Sequence, residues 1–273
     1  MQETKKYISP NNWFSFEYPA QWFEFEDGEG SFLFYNPNAW DGNFRISGIK
    51  GDTPEYGQQL VQQELAARKQ AKSIQLAQGP GTYELSSFEE DNQEFVSHQW
   101  VYGVDDMVFY CTFTSLSGQD SSCVEQILNS IEVRDLNKKY PAELIPIRLS
   151  EIYLINEAYE WVITRVKEQL TVDFQGVEED LDKLEKLKAS ETIGKKNRNS
   201  WQALGLTIGV ILTHEIEGME WYTLIDGNRE DPVLIYEPTQ KMIDPMKLVW
   251  SKIRAGEEFS IPASYTEVLA SLH

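Results

Sequence analysis

The sequence predicts an α+β protein of two domains, and three observations carry that expectation. Strand-type alternation of period two dominates the first half. Three- and four-residue helical spacing frames a β-hairpin in the second half. A polar, proline-bearing segment separates them. A length of 273 residues suits two domains of about 100–200 residues each, placed at residues 1–136 and 145–273. Hydrophobic residues at 41% and aromatics at 12% supply enough apolar surface for two cores, which argues against global disorder.

The first domain opens with FSFEYPAQWFEFEDGEG, residues 14–30. Phe14, Phe16 and Tyr18 share one parity while Ser15 and Glu17 take the other, the pattern of a half-buried strand. Pro19 cannot continue a ladder, so PAQ forms a corner. Alternation resumes with Phe23 and Phe25 against Glu24 and Glu26, and EDGEG closes that strand as a turn. All five rings are expected on buried faces. Short strands follow at 31–36 and 44–49, then a helix over 53–72 with Tyr56, Leu60, Val61 and Leu65 at helical spacing. SIQLA, TYELSSF, EFVSHQWVYG and DMVFYCTFTSL form an antiparallel meander, the last two joined by a hairpin turn at 103–106. Asp120 or Ser121 then caps a helix that buries Val124, Ile127, Leu128 and Ile131. The FSFEYPAQW corner, this order of elements and the closing ILNSIEV resemble the PsbP-like fold over residues 7–133, a group that includes Mog-type and DcrB-type proteins. The resemblance implies an antiparallel sheet with flanking helices. It also implies a non-enzymatic binder, such as an assembly factor, adaptor or effector chaperone. It carries no catalytic residue across, because function belongs to a site and not to a fold.

RDLNKKYPAEL, residues 134–144, marks the domain boundary. SEIYLINEAYEWVITRVKEQL is a long amphipathic helix with Ile152, Ile155, Tyr159, Val162 and Val166 in one stripe. GVEEDLDKLEKLKAS continues helically, with Glu179–Lys183 and Asp182–Lys186 spaced four apart on a solvated face. SWQALGLTIGVILTHEIEG is a further helix. Its Gly205 and Gly209 each cost about 1 kcal/mol relative to alanine, and close approach of another backbone is the expected compensation. Alternation from Met219 to Ile225, a DGN turn and Val233 with Ile235 make a hairpin. Asp244 caps the next helix, Pro245 stands at its first position and Gly256 ends it, while Ser264 and Glu267 form a capping box for a last short helix. The pattern WQALGLTIG…GMEWYTLID…DPMKLVWSKIRAGEE resembles the C-terminal module of a bacterial two-domain family whose halves are both domains of unknown function. This second, smaller α+β domain is rich in helices around its hairpin, and the family offers no active site to carry across.

The formal net charge is -20. It is spread over the chain, with 10 basic against 21 acidic residues in 1–140 and 14 against 23 in the remainder. Such a field repels phosphate backbones, which excludes nucleic acid as a partner and favours a basic protein partner. A solvated acidic surface with no partner is the plainer alternative. No cofactor motif is present. Gly194–Lys195 lacks the first glycine of a phosphate loop and has Lys196 where serine or threonine belongs, leaving only weak anion attraction by Lys195, Lys196 and Arg198. His214–Glu215 begins like a zincin motif, but Gly218 replaces the second histidine. His98 and His273 lie far from it, so neither a histidine metal site nor a triad is expected. Cys111 and Cys123 stand without a CxxC or Cys/His cluster; structural thiols or a pairing between them both remain open. The N-terminus lacks an apolar signal core, so a start at Met1 gives a cytoplasmic protein. The longest apolar run, residues 203–212, is far short of the roughly 20 residues that span a bilayer, so membrane insertion is not expected.

These readings converge on a non-enzymatic protein-binding module of the adaptor, effector-chaperone or immunity type. An enzyme or small-ligand sensor with a site in an interdomain cleft is the alternative. Two residues are singled out for partner binding. Trp40, in the turn-rich NPNAWDGN, is either an exposed anchor or a ring folded back on its domain. Arg254, on the polar side of its helix, either pairs with an anion or partner carboxylate or simply meets its own helix dipole.

Overall fold

Pro19 turns the chain out of one sheet and into another. In the computed structural model, which describes residues 3–26, 30–190 and 193–272, the chain divides into two units, Met1–Lys139 and Tyr140–His273. In the first, β1 (Thr4–Ile8), β2 (Phe14–Pro19) and β10 (Glu132–Val133) make a three-stranded antiparallel sheet in the order β1-β2-β10. Beyond the corner, β3 (Phe23–Glu26), β4 (Phe32–Tyr35), β5 (Asn43–Lys50), β6 (Lys72–Leu76), β7 (Gly79–Glu90), β8 (Gln93–Val104) and β9 (Met107–Leu116) form an antiparallel sheet of order β3-β4-β5-β9-β8-β7-β6. Rings from both sheets build one aromatic core, with Tyr7, Phe14, Phe16, Phe34, Phe44 and Phe109 all buried. Helix α2 (Ser122–Ser130) closes it with Val124, Ile127 and Leu128. Asp120 performs the capping there, accepting from the Ser122 amide at 2.9 Å and its hydroxyl at 2.8 Å. Helix α1 (Tyr56–Ala67) lies on the other face of the large sheet, where Val61 meets Val101 and Val108. The two-residue period explains this division: Trp100 and Phe109 face the aromatic core while their neighbours Val101 and Val108 face α1.

The opening aromatic run is only partly core. Phe14, Phe16 and Tyr18 are buried as expected, but Phe23 is 48% exposed, beneath the Lys5 ammonium at 4.8 Å. Phe25 is half-buried and stacks on Tyr35 at 4.1 Å. The reason is position: β3 is the edge of its sheet, so its rings are covered by single neighbours and not by a second layer. The corner's Trp22 takes the buried place instead, stacked on Phe113 at 6.3 Å. Most of the expected EDGEG turn, residues 27–29, lies outside the described residues.

The second unit packs helices against a four-stranded sheet of order β11-β12-β13-β14, from β11 (Glu143–Pro146), β12 (Met219–Asp226), β13 (Arg229–Tyr236) and β14 (Lys241–Ile243). The expected hairpin is thus the centre of a sheet. Helix α3 (Leu149–Leu170) does not run on into the acidic segment. Thr171 takes a left-handed conformation (φ 57°), and α4 (Leu181–Ala189) starts only after a short 3-10 turn at Glu178–Asp180. The intervening loop is held by Asp180, which is buried and accepts the amides of Gln175 at 2.6 Å and Gly176 at 2.8 Å, with the Lys183 ammonium on its other oxygen. Burial draws this carboxyl upward, but Lys183 and the two amides outweigh it and hold it below the usual carboxylate range. Lys183 therefore serves Asp180 three residues back, not the Glu179 expected four residues back.

Helix α5 (Arg198–Glu215) runs through the centre, buried at nearly every position from Ser200 to Leu212. A Cβ at Gly205 would overlap the backbone carbonyl of Pro245, the first residue of α6 (Pro245–Ala255), and one at Gly209 would meet the Trp221 indole and the Pro245 ring. The expected close approach is real at Gly205, while at Gly209 side chains occupy the space. Asp244 caps α6 and Gly256 ends it at φ 70°. Helix α7 (Ile261–Ser271) begins earlier than the capping-box reading had it. Ser260 is its cap, and the buried Ser264 lies inside, receiving the Lys252 ammonium at 2.9 Å.

One buried ion cluster ties α3 to the sheet. Arg148, 1% exposed, grips Glu151 through two bonds of 2.8 and 2.7 Å and reaches Glu230 on β13 at 2.7 Å. The buried Thr223 hydroxyl accepts from the Arg148 amide at 3.1 Å and donates to Glu151 at 3.1 Å. Arg148→Met strands the Glu151 charge, so urea unfolding should show a loss of about 3–5 kcal/mol, and Arg148→Met with Glu151→Leu should recover most of it. Gly205→Ala should cost about 1–3 kcal/mol in the same measurement, because the obstacle is backbone and cannot rotate away.

Candidate functional site

Strands β7 and β8 are each 12 residues long and joined by the two-residue turn Asp91–Asn92, with φ of 50° and 60°. Asp and Asn tolerate the left-handed conformation that a tight hairpin of this hand requires. Near the base of the hairpin, α1 covers the face. Its Glu64 accepts the Tyr110 hydroxyl at 3.0 Å and the Arg68 guanidinium at 2.7 Å, and Arg68 also reaches Gln99 at 3.1 Å. Burial, and then the Glu64 acceptor, push the Tyr110 hydroxyl up to about 12.

Past Gln99 the same face opens to solvent at Phe88. Phe95 shares the parity of Val101 and Gln99, and pairs directly across the ladder with Phe88, the rings stacked at 5.4 Å. Trp40 meets Phe95 edge-on at 6.2 Å, and its indole N–H donates to Asn43 at 2.6 Å. Trp40 is 37% exposed and Phe88 44%, with Phe95 half-buried between them. The Trp40 ring thus rests against its own domain and keeps part of its surface open.

The tip beyond this row is acidic. Glu89, Glu90, Asp91 and Glu94 are exposed, and none makes an ion pair with a described residue. Glu89 and Glu94 stand directly opposite each other in the ladder, a like-charge pairing that disfavours the free hairpin. An aromatic row beside unpaired carboxylates can take up apolar and cationic groups together.

Arg254 is exposed in the last turn of α6, in the second unit, and pairs with no described residue. Lys195 and Lys196 are exposed ahead of α5, whose cap Asn197 accepts from the Ser200 amide at 3.3 Å. His98 shares a 3.0 Å hydrogen bond between its Nδ1 and the Tyr83 hydroxyl and stacks on Trp100, and burial lowers its pKa. His214 is exposed, its Nδ1 3.0 Å from the Gly176 carbonyl; His273 lies outside the described residues. Cys111 and Cys123 are free thiols. Burial raises both, Cys111 strongly and Cys123 to about 11, with Asp41 and Asp120 adding to the latter. Among the described residues no three His, Cys, Asp or Glu side chains converge on a metal-sized space, and no helix is long and apolar enough to cross a membrane.

Sequence reading passed over Phe88 and Phe95 as strand interior. The signal that could have found them is FEEDNQEF, a tight-turn pair flanked by carboxylates and then by rings placed opposite each other.

A family model described as a domain of unknown function (DUF3805) matches residues 2–156, and a second, a domain of unknown function (DUF3806), matches residues 180–265. A crystal structure from Bacteroides thetaiotaomicron VPI-5482 is 49% identical, covering 98% of this chain and 99% of that one, with a TM-score of 0.93. Cyanobacterial PsbP (CyanoP) from Synechocystis sp. PCC 6803 is 16% identical over 49% of this chain and 94% of its own, at a TM-score of 0.25. LpqN of Mycobacterium tuberculosis, involved in cell envelope biogenesis, is 12% identical over 49% of this chain and 91% of its own, at 0.31. No curated protein matches the chain.

If Trp40 is an exposed anchor and not part of the core, Trp40→Ala should leave stability within about 0.5 kcal/mol in urea unfolding. Trp22→Ala, at a fully buried ring, should cost about 3–5 kcal/mol.

Proposed function

The chain belongs to the DUF3805 domain family, with a DUF3806 match behind it, and from that premise we propose that it is a non-enzymatic protein-binding module for a basic partner. The observation that carries this reading is the open Trp40–Phe95–Phe88 row next to four carboxylates that pair with none of the described residues. Aromatic anchors contribute most of the energy of a compact interface, while the charges steer the partner and select its sign. A cationic segment laid along the tip relieves the Glu89–Glu94 repulsion, which an apolar partner leaves in place. The chain's net charge of -20 acts in the same direction at longer range.

Adaptor, effector-chaperone and immunity-type roles all fit such a surface. Two further observations support the non-enzymatic part of the reading. Both thiols are held in the protonated, unreactive form. His98 is taken up by Tyr83 and Trp100 within the strand layer. The unpaired thiols also support a reducing, cytoplasmic location.

The test is titration calorimetry of the full chain with a lysine-rich peptide carrying leucine and tyrosine. Trp40→Ala with Phe88→Ser should weaken binding at least roughly tenfold, and Glu89→Lys with Glu94→Lys should abolish it. Raising the salt from about 50 mM to about 500 mM should weaken the parent complex further. Equal affinity of the parent and the aromatic double variant, or affinity indifferent to salt, rejects the proposal.

A further inference from the structure

Between α3 and α5 the second unit holds a groove of about 380 Å³, within the range of small-molecule sites. Leu154, Ala158 and Trp161 line one wall at helical spacing, Ala203 and Leu206 line the other, and Met246 of α6 contributes to the lining. The volume exists because alanines stand at positions 158 and 203, where larger side chains would close it. Trp161 supplies a flat, half-buried ring, with the Arg165 guanidinium over it at 5.7 Å.

The polar content of this groove is specific. Gln202 is only 8% exposed, lines the groove, and forms no side-chain hydrogen bond with a described residue. Ser200, 9% exposed, also lines it, and its hydroxyl likewise has no described partner. A primary carboxamide offers two donors and an acceptor side by side. The Gln202 amide atoms stay open to the groove and are not among the fully buried polar atoms that lack a partner, so they are free to pair with the amide edge of a ligand. Glu157 is the one charged residue in the lining. Arg165, the nearby cation, is engaged by Glu168 at 2.9 Å.

We propose that this groove is a binding site for a small neutral molecule that presents an amide edge, N–H beside C=O, on a flat apolar body. The amide edge pairs bidentately with Gln202, the flat body lies along Trp161 between the two alanines, and Glu157 repels anions such as phosphates and carboxylates. Nucleobase-type rings and lactam or cyclic-dipeptide rings share this chemistry. The site lies wholly in the second unit and does not depend on the protein-binding reading of the first.

The experiment uses the full chain, with uracil, nicotinamide and a cyclic dipeptide as amide-edged probes and with benzoate and toluene as anionic and apolar controls. Backbone amide shifts in nuclear magnetic resonance locate and quantify binding. The amide-edged probes should shift Gln202, Ala203 and Leu154, benzoate should not, and the uracil and cyclic-dipeptide arms separate the two ring sources. Gln202→Leu should weaken the best probe at least tenfold while leaving the melting temperature equal or higher. Ala203→Leu, which fills the groove without touching the amide, should block all probes. Toluene binding as well as the amide-edged probes, unchanged affinity in Gln202→Leu, or no probe shifting the groove residues overturns the assignment.

Discussion

A helix rises about 1.5 Å per residue and a strand about 3.3 Å, so a helix cannot cover a strand of equal residue count. Helix α1 and strands β7 and β8 each have 12 residues. The helix therefore shields less than half of the length that the strands present. Everything proposed for the first unit follows from this mismatch. At the covered end, Val101 and Val108 are sealed by Val61, and Glu64 and Arg68 satisfy the polar groups at the rim. At the uncovered end, residues of the same parity face solvent, and two of them are phenylalanines. On the opposite face the three-stranded sheet and α2 build the aromatic core as far as Tyr83 and Trp100, while Leu85 beyond them is exposed.

The second unit is organised by a different constraint, a helix buried on all sides. Helix α5 lies at the centre, and such a helix needs small residues wherever a neighbour's backbone crosses it. Gly205 accommodates the start of α6, and Gly209 accommodates Trp221. Polar groups drawn into this interior require partners. Arg148, Glu151, Glu230 and Thr223 satisfy one another and fasten α3 to the sheet, while Asp180 satisfies the loop between α3 and α4. Against that background of satisfied groups, Gln202 and Ser200 stand out as polar side chains of the same helix left facing a cavity.

Several features were legible from residue order because their causes are local. Capping by Asp244 with Pro245 behind it needs only a side chain and its own helix, as does termination at Gly256. Burial of Phe14, Phe16 and Tyr18 follows from parity within one strand. Other expectations failed where the cause lay elsewhere in the chain. Phe23 has the same alternating pattern as Phe16, yet it is exposed because β3 ended up at a sheet edge. Helical periodicity continues after Leu170, yet the helix stops because Asp180 holds the following loop in another conformation.

Spacing and composition alone were enough to read off the α+β class, the division into a strand-rich and a helix-rich half, most strand and helix positions, and the acidic field. The sequence also marked Trp40 as a ring in a turn-rich loop. That Trp40, Phe95 and Phe88 form one row became visible with the packed fold, because these residues lie on three segments brought together by ladder register and ring contact. The packed fold likewise places the Gln202 side chain in a groove and not on the open surface. Which side of a helix meets water depends on what packs against it, and the groove is completed by Leu154, Trp161 and Met246 from helices more than 40 positions away.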